Sequence, residues 1–253
     1  MVEPILTTGA AVVGASAWFL NKIGGPSAEA LGQALKSYLT GRLRKIFITS
    51  EELAKGQPEL LTAIPPGFLY QFCQYASFSE DVEEITLMWA HLLITASTNF
   101  ESKLLTYLDI LSKLGQNEAK LLDSIAPKDE DVPNRPLFPL DLAMRYELKK
   151  CRSAEDAYER LYYLLTEKKL MWAGGWPVSL TFVGKSYGGG GLQSVIRGES
   201  DILSIDVLVR QGVLQRIEQV IEGFSLVACT PTVLGMNFLR VCRGDLVLKA
   251  SSA

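Results

Sequence analysis

Hydrophobic residues in this chain recur mostly three and four positions apart, which is the spacing of one face of an α-helix. The clearest stripe lies in 79–97 and consists of Val82, Ile85, Trp89, Leu92, Leu93 and Ala96. Similar stripes predict helices over 28–47, 67–76, 104–114, 117–125, 141–150 and 153–169. The pattern therefore predicts a mainly α protein with an N-terminal helical region.

Residues typical of helix ends flank several of these stripes. The predicted N-caps are Ser27, Ser77 or Ser79, Asn117, and Ser153 in a capping box with Asp156. Gly115 follows the 104–114 stripe directly, where a glycine often ends a helix. These positions give each predicted helix a start or a stop.

The last fifth of the chain mixes helical and strand patterns. We predict a helix over 201–211, capped by Ser200 and ended by Gly212, and a last helix that begins with Thr230 as N-cap and Pro231 as first residue. Between them, two strands at 213–220 and 224–229 flank Glu222-Gly223, a dipeptide typical of hairpin turns. The order is that of a winged helix, so the fold class expected here is a winged-helix-like α/β C-terminal part with a small hairpin.

These patterns divide the chain into three predicted parts. Residues 1–26 form an apolar helix rich in Gly and Ala, 27–114 a helical domain, and 115–253 the winged-helix-like domain. The third part carries an irregular insertion at about 127–199, which begins with a proline-rich stretch and includes a strand at 178–183.

The N-terminal segment has no charged residue between positions 4 and 21. A bilayer-spanning helix needs about 20 mostly apolar residues, and this run is shorter and diluted by Thr, Ser and Gly. Its candidate assembly or membrane-contact residues are Ala10, Gly14, Ala17 and Trp18, since small residues at helical spacing let two helices approach closely. The segment is either a buried packing helix or an element that inserts into a membrane.

Basic residues gather at the end of the next predicted helix. They are Lys36, Arg42, Arg44 and Lys45, and residues 1–50 hold five basic against two acidic groups. This end is either a solvated helix terminus or a contact surface for anionic lipid or a protein partner.

Composition excludes several kinds of chemistry. The chain has one histidine, His91, which we place on the surface, and four cysteines too far apart for a zinc ribbon. The Gly184-Lys185-Ser186 tripeptide lacks the glycine-rich loop that would hold phosphate, and the tetraglycine 188–191 beside it is interpreted as a flexible loop. We therefore predict no enzyme, no cofactor and no metal site.

The charge distribution bears on nucleic acid. The net charge is −3, and the helix that would enter a DNA groove carries two aspartates and one arginine. Such a helix repels a phosphate backbone, so no specific nucleic-acid binding is expected.

Longer motifs in the chain resemble the Abi-alpha (abortive infection) family of bacterial proteins. The resemblance rests on GPSAEALGQALKSYLTGRLRKI, IPPGFLYQFCQYASFSEDVEEITLMWAHLLITAST and YLDILSKLGQNEAKLLDSI, with LVRQGVLQR and TPTVLG near the C-terminus. It implies a role in defence against phage, and the family has no catalytic motif from which an active site could be transferred.

The expected function is a non-enzymatic anti-phage defence protein that acts through protein contacts and self-assembly. The partner would be a second copy or a phage or defence-system component, in the cytoplasm. The alternatives are a membrane-acting effector that inserts residues 4–21, which would make the protein membrane-associated, and a winged-helix transcriptional regulator.

Overall fold

The computed structural model describes residues 17–25, 41–125, 140–166, 179–187, 191–196 and 199–244. Ten helices lie in these ranges: α1 Ala17–Gly24, α2 Gly41–Ala54, α3 Pro66–Ser77, α4 Glu83–Thr98, α5 Leu104–Ser112, α6 Gln116–Ile125, α7 Leu140–Leu148, α8 Ala154–Thr166, α9 Glu199–Arg210 and α10 Val233–Arg243. A 3₁₀ turn spans Pro58–Leu60, and the strands are β1 Ser179–Tyr187, β2 Gly191–Ile196, β3 Leu214–Ile221 and β4 Phe224–Pro231. The mainly α prediction with a C-terminal hairpin is confirmed.

The chain forms two units. The first comprises Met1–Ala119 and Phe238–Ala253, and the second Lys120–Asn237. The end of the last helix thus belongs with the N-terminal helices. The three-part division and the winged helix stay predictions.

The core of the first unit is aromatic. Trp89 of α4 is fully buried, and its ring lies edge-on to Phe72 of α3 with centroids 5.2 Å apart. Phe47 of α2 packs on the same Phe72 ring at 6.3 Å, and Tyr107 meets Phe238 edge-on at 5.7 Å. Edge-to-face pairs of this kind add to the hydrophobic burial that holds helices together. The 79–97 stripe is confirmed as core, because Ile85, Trp89, Leu92, Leu93 and Ala96 are all buried.

The second unit is built on a four-stranded antiparallel sheet in the order β2-β1-β4-β3. The β3–β4 turn places Glu222 at φ 51° and Gly223 at φ 79°, the left-handed pair that a tight two-residue hairpin requires. Helices α7 and α8 cover one sheet face with a core that includes Leu148, Ala157, Leu161, Val183, Phe224 and Leu226. β2 was not predicted.

The positions and caps of the helix ends are the features that differ most from the prediction. Helix α2 continues to Ala54 rather than ending at Phe47, and Val82 precedes α4 without a side-chain cap. The Ser77 hydroxyl donates instead to the Cys73 carbonyl of its own helix at 2.6 Å. A short side chain near a helix end can bond the preceding turn equally well, so the serine pattern alone does not locate the cap.

Two other predicted N-caps are also wrong. Asn117 lies inside α6, and Ser200 lies inside α9. By contrast, the Asp156 N–H donates to Ser153 Oγ at 3.2 Å, which confirms that cap, and Gly212 at φ 72° ends α9 as predicted. Ser27 and residues 127–139 lie outside the described residues.

The last helix starts two residues later than predicted. Thr230 and Pro231 complete β4, and Thr232 caps α10 by accepting the Gly235 N–H at 3.0 Å. The Thr232 N–H donates to the Val213 carbonyl at 2.9 Å. Gly235 lies so close to this carbonyl that an added Cβ would be 2.9 Å from its carbon and nearer still to its oxygen. The glycine is therefore required by this close approach.

Candidate functional site

The loop Phe78–Asp81 joins α3 to α4, and its chain direction is set by hydrogen bonds to the end of α3. The Phe78 N–H donates to the Tyr75 carbonyl at 3.2 Å. The Ser79 hydroxyl donates to the Ala76 carbonyl at 2.9 Å. These bonds satisfy carbonyls that a helix C-terminus otherwise leaves unpaired.

Arg42 of α2 holds the same loop from the side. Its side chain is only 5% exposed, and it donates from Nε to Ser79 Oγ at 3.2 Å and from Nη1 to Asp81 Oδ1 at 3.1 Å. Nη1 also bonds the Thr86 hydroxyl of α4, whereas Nη2 is buried without a hydrogen-bond partner among the described residues. Burial lowers the pKa of Arg42, and the Asp81 charge opposes that shift.

Lys45, one turn further along α2, adds a second cation to the same carboxylate. Its Nζ lies 3.0 Å from Asp81 Oδ1. The hydrogen bond from Lys45 is the main reason that the pKa of Asp81 lies below its ordinary value, with Arg42 contributing in the same direction. Asp81 therefore accepts bonds from two cations of α2, with its own side chain 64% exposed.

Glu80 fastens the loop on a different side, at the N-terminus of α6. Its Oε2 accepts the Gln116 N–H at 2.9 Å, while Glu118 Oε2 accepts the Gly115 N–H at 2.9 Å. Carboxylates at a helix N-terminus satisfy unpaired N–H groups and complement the helix dipole. The prediction that Gly115 ends α5 is wrong, because α5 ends at Ser112, and an added Cβ at Gly115 would meet only the terminal oxygens of the Glu118 and Glu80 side chains, which can move aside.

Phe78 is the exposed hydrophobic residue of this loop. Its side chain is 82% exposed, more than any other large hydrophobic residue in the part of the chain that the structure describes. The three residues that follow it are each held by a side-chain hydrogen bond. The loop thus exposes an aromatic ring on a backbone whose neighbouring residues are held by side-chain hydrogen bonds.

The structure changes the interpretation of the predicted basic surface. Arg42 is buried in an ion pair, so the prediction that it contacts lipid or a partner from solvent is wrong; the cause is that Asp81, 39 residues away, lies against it. Lys45 is half exposed and shares Asp81, and Arg44 is exposed. Lys36, Ala10 and Gly14 lie outside the described residues, while Ala17 begins α1 and Trp18 is 41% exposed.

Sequence reasoning missed Phe78, Glu80 and Asp81 as a unit. The available signal was a lone phenylalanine among polar residues in SFSED, between two helices whose apolar stripes do not include it. The partners Arg42 and Gln116 are 36 or more residues away in sequence, so no local pattern indicated them.

The described residues contain no cluster of three or more His, Cys, Asp or Glu that could hold a metal ion. All four cysteines are buried free thiols, and burial raises the pKa of Cys73 and Cys242 far above the ordinary value. A thiol of this kind is a poor nucleophile because it does not form thiolate. His91 is half-buried rather than on the surface, since Gly244 packs against its ring.

The Gly184-Lys185-Ser186 tripeptide lies within strand β1, with Gly184 paired to both neighbouring strands. Its backbone N–H groups are therefore not arranged as a phosphate loop. Lys185 Nζ donates to the Arg152 carbonyl at 3.0 Å.

Within the described ranges, no helix combines the length and the hydropathy that crossing a bilayer requires.

Comparison with known proteins gives one family match. A family model described as abortive infection alpha matches residues 41–242. No curated protein and no solved structure matches the chain. The matched range includes the Phe78–Asp81 loop and both of its anchoring helices.

Proposed function

The chain belongs to the abortive infection alpha family, and we propose that it serves in bacterial defence against phage by contacting other protein chains, without catalysis. The observation that carries the proposal is the 82% exposed Phe78 on a loop held by Arg42, Lys45 and the N-terminus of α6. Exposed aromatic residues are frequent anchors of protein interfaces.

The anchoring of the loop favours binding because it lowers the cost of association. A flexible loop loses conformational entropy when a partner fixes it, and a loop that is already fixed loses little. Complete burial of a phenylalanine contributes about 1.5–3 kcal/mol, which corresponds to roughly 10- to 100-fold in affinity. The partner should therefore present an apolar pocket that accepts one ring, and we propose a second copy of this chain as the first candidate.

The decisive experiment replaces Phe78 by Ala and measures phage plating on cells that carry the protein, alongside sedimentation of the purified protein. Tyr146→Ala is the matched control, since Tyr146 is a 65% exposed aromatic in the other unit. Phe78→Ala should abolish protection, and Tyr146→Ala should retain it.

Sedimentation then identifies the partner. If Phe78→Ala weakens self-association by tenfold or more, as the loss of one buried ring implies, the partner is another copy. If self-association is unchanged while protection is lost, the ring binds a different protein. Full protection by Phe78→Ala would refute the docking role.

A second variant tests whether the anchoring itself is required. Arg42→Met keeps the bulk of the buried side chain but removes the bonds to Ser79 and Asp81. Removing Arg42 does not leave a buried unpaired charge, because the Asp81 side chain is 64% exposed and keeps its ion pair with Lys45. We expect a folded protein with reduced protection, because the loop that carries Phe78 is no longer fixed on the α2 side.

The membrane-acting alternative concerns the N-terminal segment, whose last part is described. Phe19 and Ile23 of α1 are buried, and the Ile64 N–H donates to the Ile23 carbonyl at 2.8 Å. These contacts support a packing helix over an inserting one. Removing residues 1–23 tests it: a packing helix leaves an insoluble protein, whereas an assembly or membrane arm leaves a soluble, folded and inactive one.

We also propose that the protein binds no specific DNA. The α9 helix carries Asp206, and Arg216 of β3 is paired to Glu218 at 2.8 Å, so little positive charge is available there to meet a phosphate backbone. A gel-shift at physiological salt should show no specific duplex complex. A tight complex lost in Arg210→Ala or Arg216→Ala would overturn this part.

A further inference from the structure

A cleft lies in the second unit between α9 and the sheet face opposite α7 and α8. Its volume is about 230 Å³, and its lining is Thr181, Phe182, Ile202, Ile205, Asp206, Arg216, Val227 and Ala228. Phe182 and Val227 pair directly across β1 and β4, so their side chains lie on the same face and form an apolar floor. Ile202 and Ile205 of α9 supply the apolar wall.

The cleft lining holds two charged side chains, Asp206 and Arg216, and they are not paired with each other. Asp206 has no hydrogen-bond or ion-pair partner among the residues that the structure describes, although its side chain is half-buried. Arg216 does not pair with it, because its Nε binds Glu218 Oε1 at 2.8 Å. The Thr181 hydroxyl is also engaged, as donor to the Val227 carbonyl at 2.7 Å. A half-buried carboxylate beside an apolar floor is stabilised by a cation that brings its own hydrogen-bond donors.

We propose that this cleft binds a small amphipathic cation, with an apolar ring or branched chain on the Phe182–Val227 floor and an ammonium group on Asp206. Size supports one ring with a short tail, because an apolar cavity of about 150 Å³ is enough to hold benzene. An ammonium group supplies three donors to a carboxylate, and such charge-assisted bonds are about twice as strong as neutral ones. The proposal is independent of the Phe78 loop, which lies in the other unit.

The test uses three probes of similar shape on the full chain: 2-phenylethylammonium, the neutral 2-phenylethanol and the anionic 3-phenylpropanoate. Binding is followed by NMR of isotope-labelled isoleucine methyl groups. The methyls of Ile202 and Ile205 should shift with 2-phenylethylammonium, while that of the buried Ile85 in the first unit should not. The cation should bind about tenfold more tightly than the alcohol, and the carboxylate should bind least.

Asp206→Asn provides the charge test, since it preserves shape and breaks no contact among the described residues. This variant should bind the cation and the alcohol with similar affinity. Glu159→Gln is the matched control, because it removes one exposed negative charge from α8 of the same unit and should leave the preference unchanged. Absence of saturable binding of 2-phenylethylammonium, stronger binding of the anionic probe, or an unchanged preference in Asp206→Asn would each overturn the proposal.

Discussion

Substituting Gly235 by Ala tests the packing of α10 against the β3 start more directly than any other single change. In most exposed helical positions Gly→Ala is stabilising, by up to about 1 kcal/mol, because alanine loses less chain entropy. Gly235 is buried, and a Cβ there would lie 2.9 Å from the Val213 carbonyl carbon and 3.2 Å from its Cα. Gly235→Ala should therefore destabilise the protein.

The size of this loss in stability follows from the displacement of α10 that the added Cβ requires. To bring this Cβ to an ordinary contact distance, the first turn of α10 has to retreat from Val213. That shift stretches the 2.9 Å bond from the Thr232 N–H to the same carbonyl, whereas the single proton of the Thr232 hydroxyl is donated to the Gly212 carbonyl at 2.5 Å. Overpacking costs about 1–3 kcal/mol, and each lost hydrogen bond adds about 1 kcal/mol. After the helical gain is subtracted, we expect a net loss of about 2 kcal/mol.

The assay is urea unfolding followed by far-ultraviolet circular dichroism. A loss of about 2 kcal/mol lowers the midpoint by roughly 1 M when the denaturant slope is about 2 kcal/mol per M. Gly67→Ala is the matched control, because Gly67 also lies in the first turn of a helix and an added Cβ there meets nothing within 4 Å. Gly67→Ala should be neutral or stabilising. A Gly235→Ala protein as stable as the wild type would show that the approach to Val213 is not a constraint.

Three further outcomes are expected. Burial lowers the pKa of His91 below its ordinary 6.5, so the unfolded state binds the proton first and the free energy of unfolding should fall as pH drops below 6.5. His91→Gln should remove this fall. All four thiols are buried, so a thiol reagent should react slowly with the native protein and rapidly with all four in denaturant. Lys185→Ala should leave protection intact and cost about 1 kcal/mol through the lost bond to the Arg152 carbonyl; magnesium-dependent ATP binding that this variant loses would contradict the strand assignment of Gly184–Ser186.

Much of the secondary structure could be predicted from local sequence patterns. The stripe through Ile85, Trp89 and Leu93 and the Glu222-Gly223 hairpin turn were predicted correctly, because each depends on residues close in sequence. The helix caps at Ser77 and Thr230 were misplaced since several short polar side chains compete for the same N–H groups, and tertiary packing chooses among them. Strand β2 was missed because a short edge strand next to glycines has little periodicity of its own.

The candidate site was predicted only in part, for the same physical reason. Arg42 and Lys45 were recognised as basic, but whether they face solvent depends on Asp81, which the fold brings to them from 36 to 39 residues away. The isolation of Phe78 among polar neighbours was visible in the sequence. Its display on a fixed backbone was not, because that depends on Glu80 reaching Gln116.

The bonds that fix the Phe78–Asp81 loop use the side chains of Ser79, Glu80 and Asp81, and Phe78 contributes to them only its backbone N–H. Position 78 can therefore change identity at little expense to folding, while the geometry in which it is offered stays the same. Under the proposed function, a substitution at position 78 would change the contact surface and leave unchanged the bonds that set the backbone of the loop.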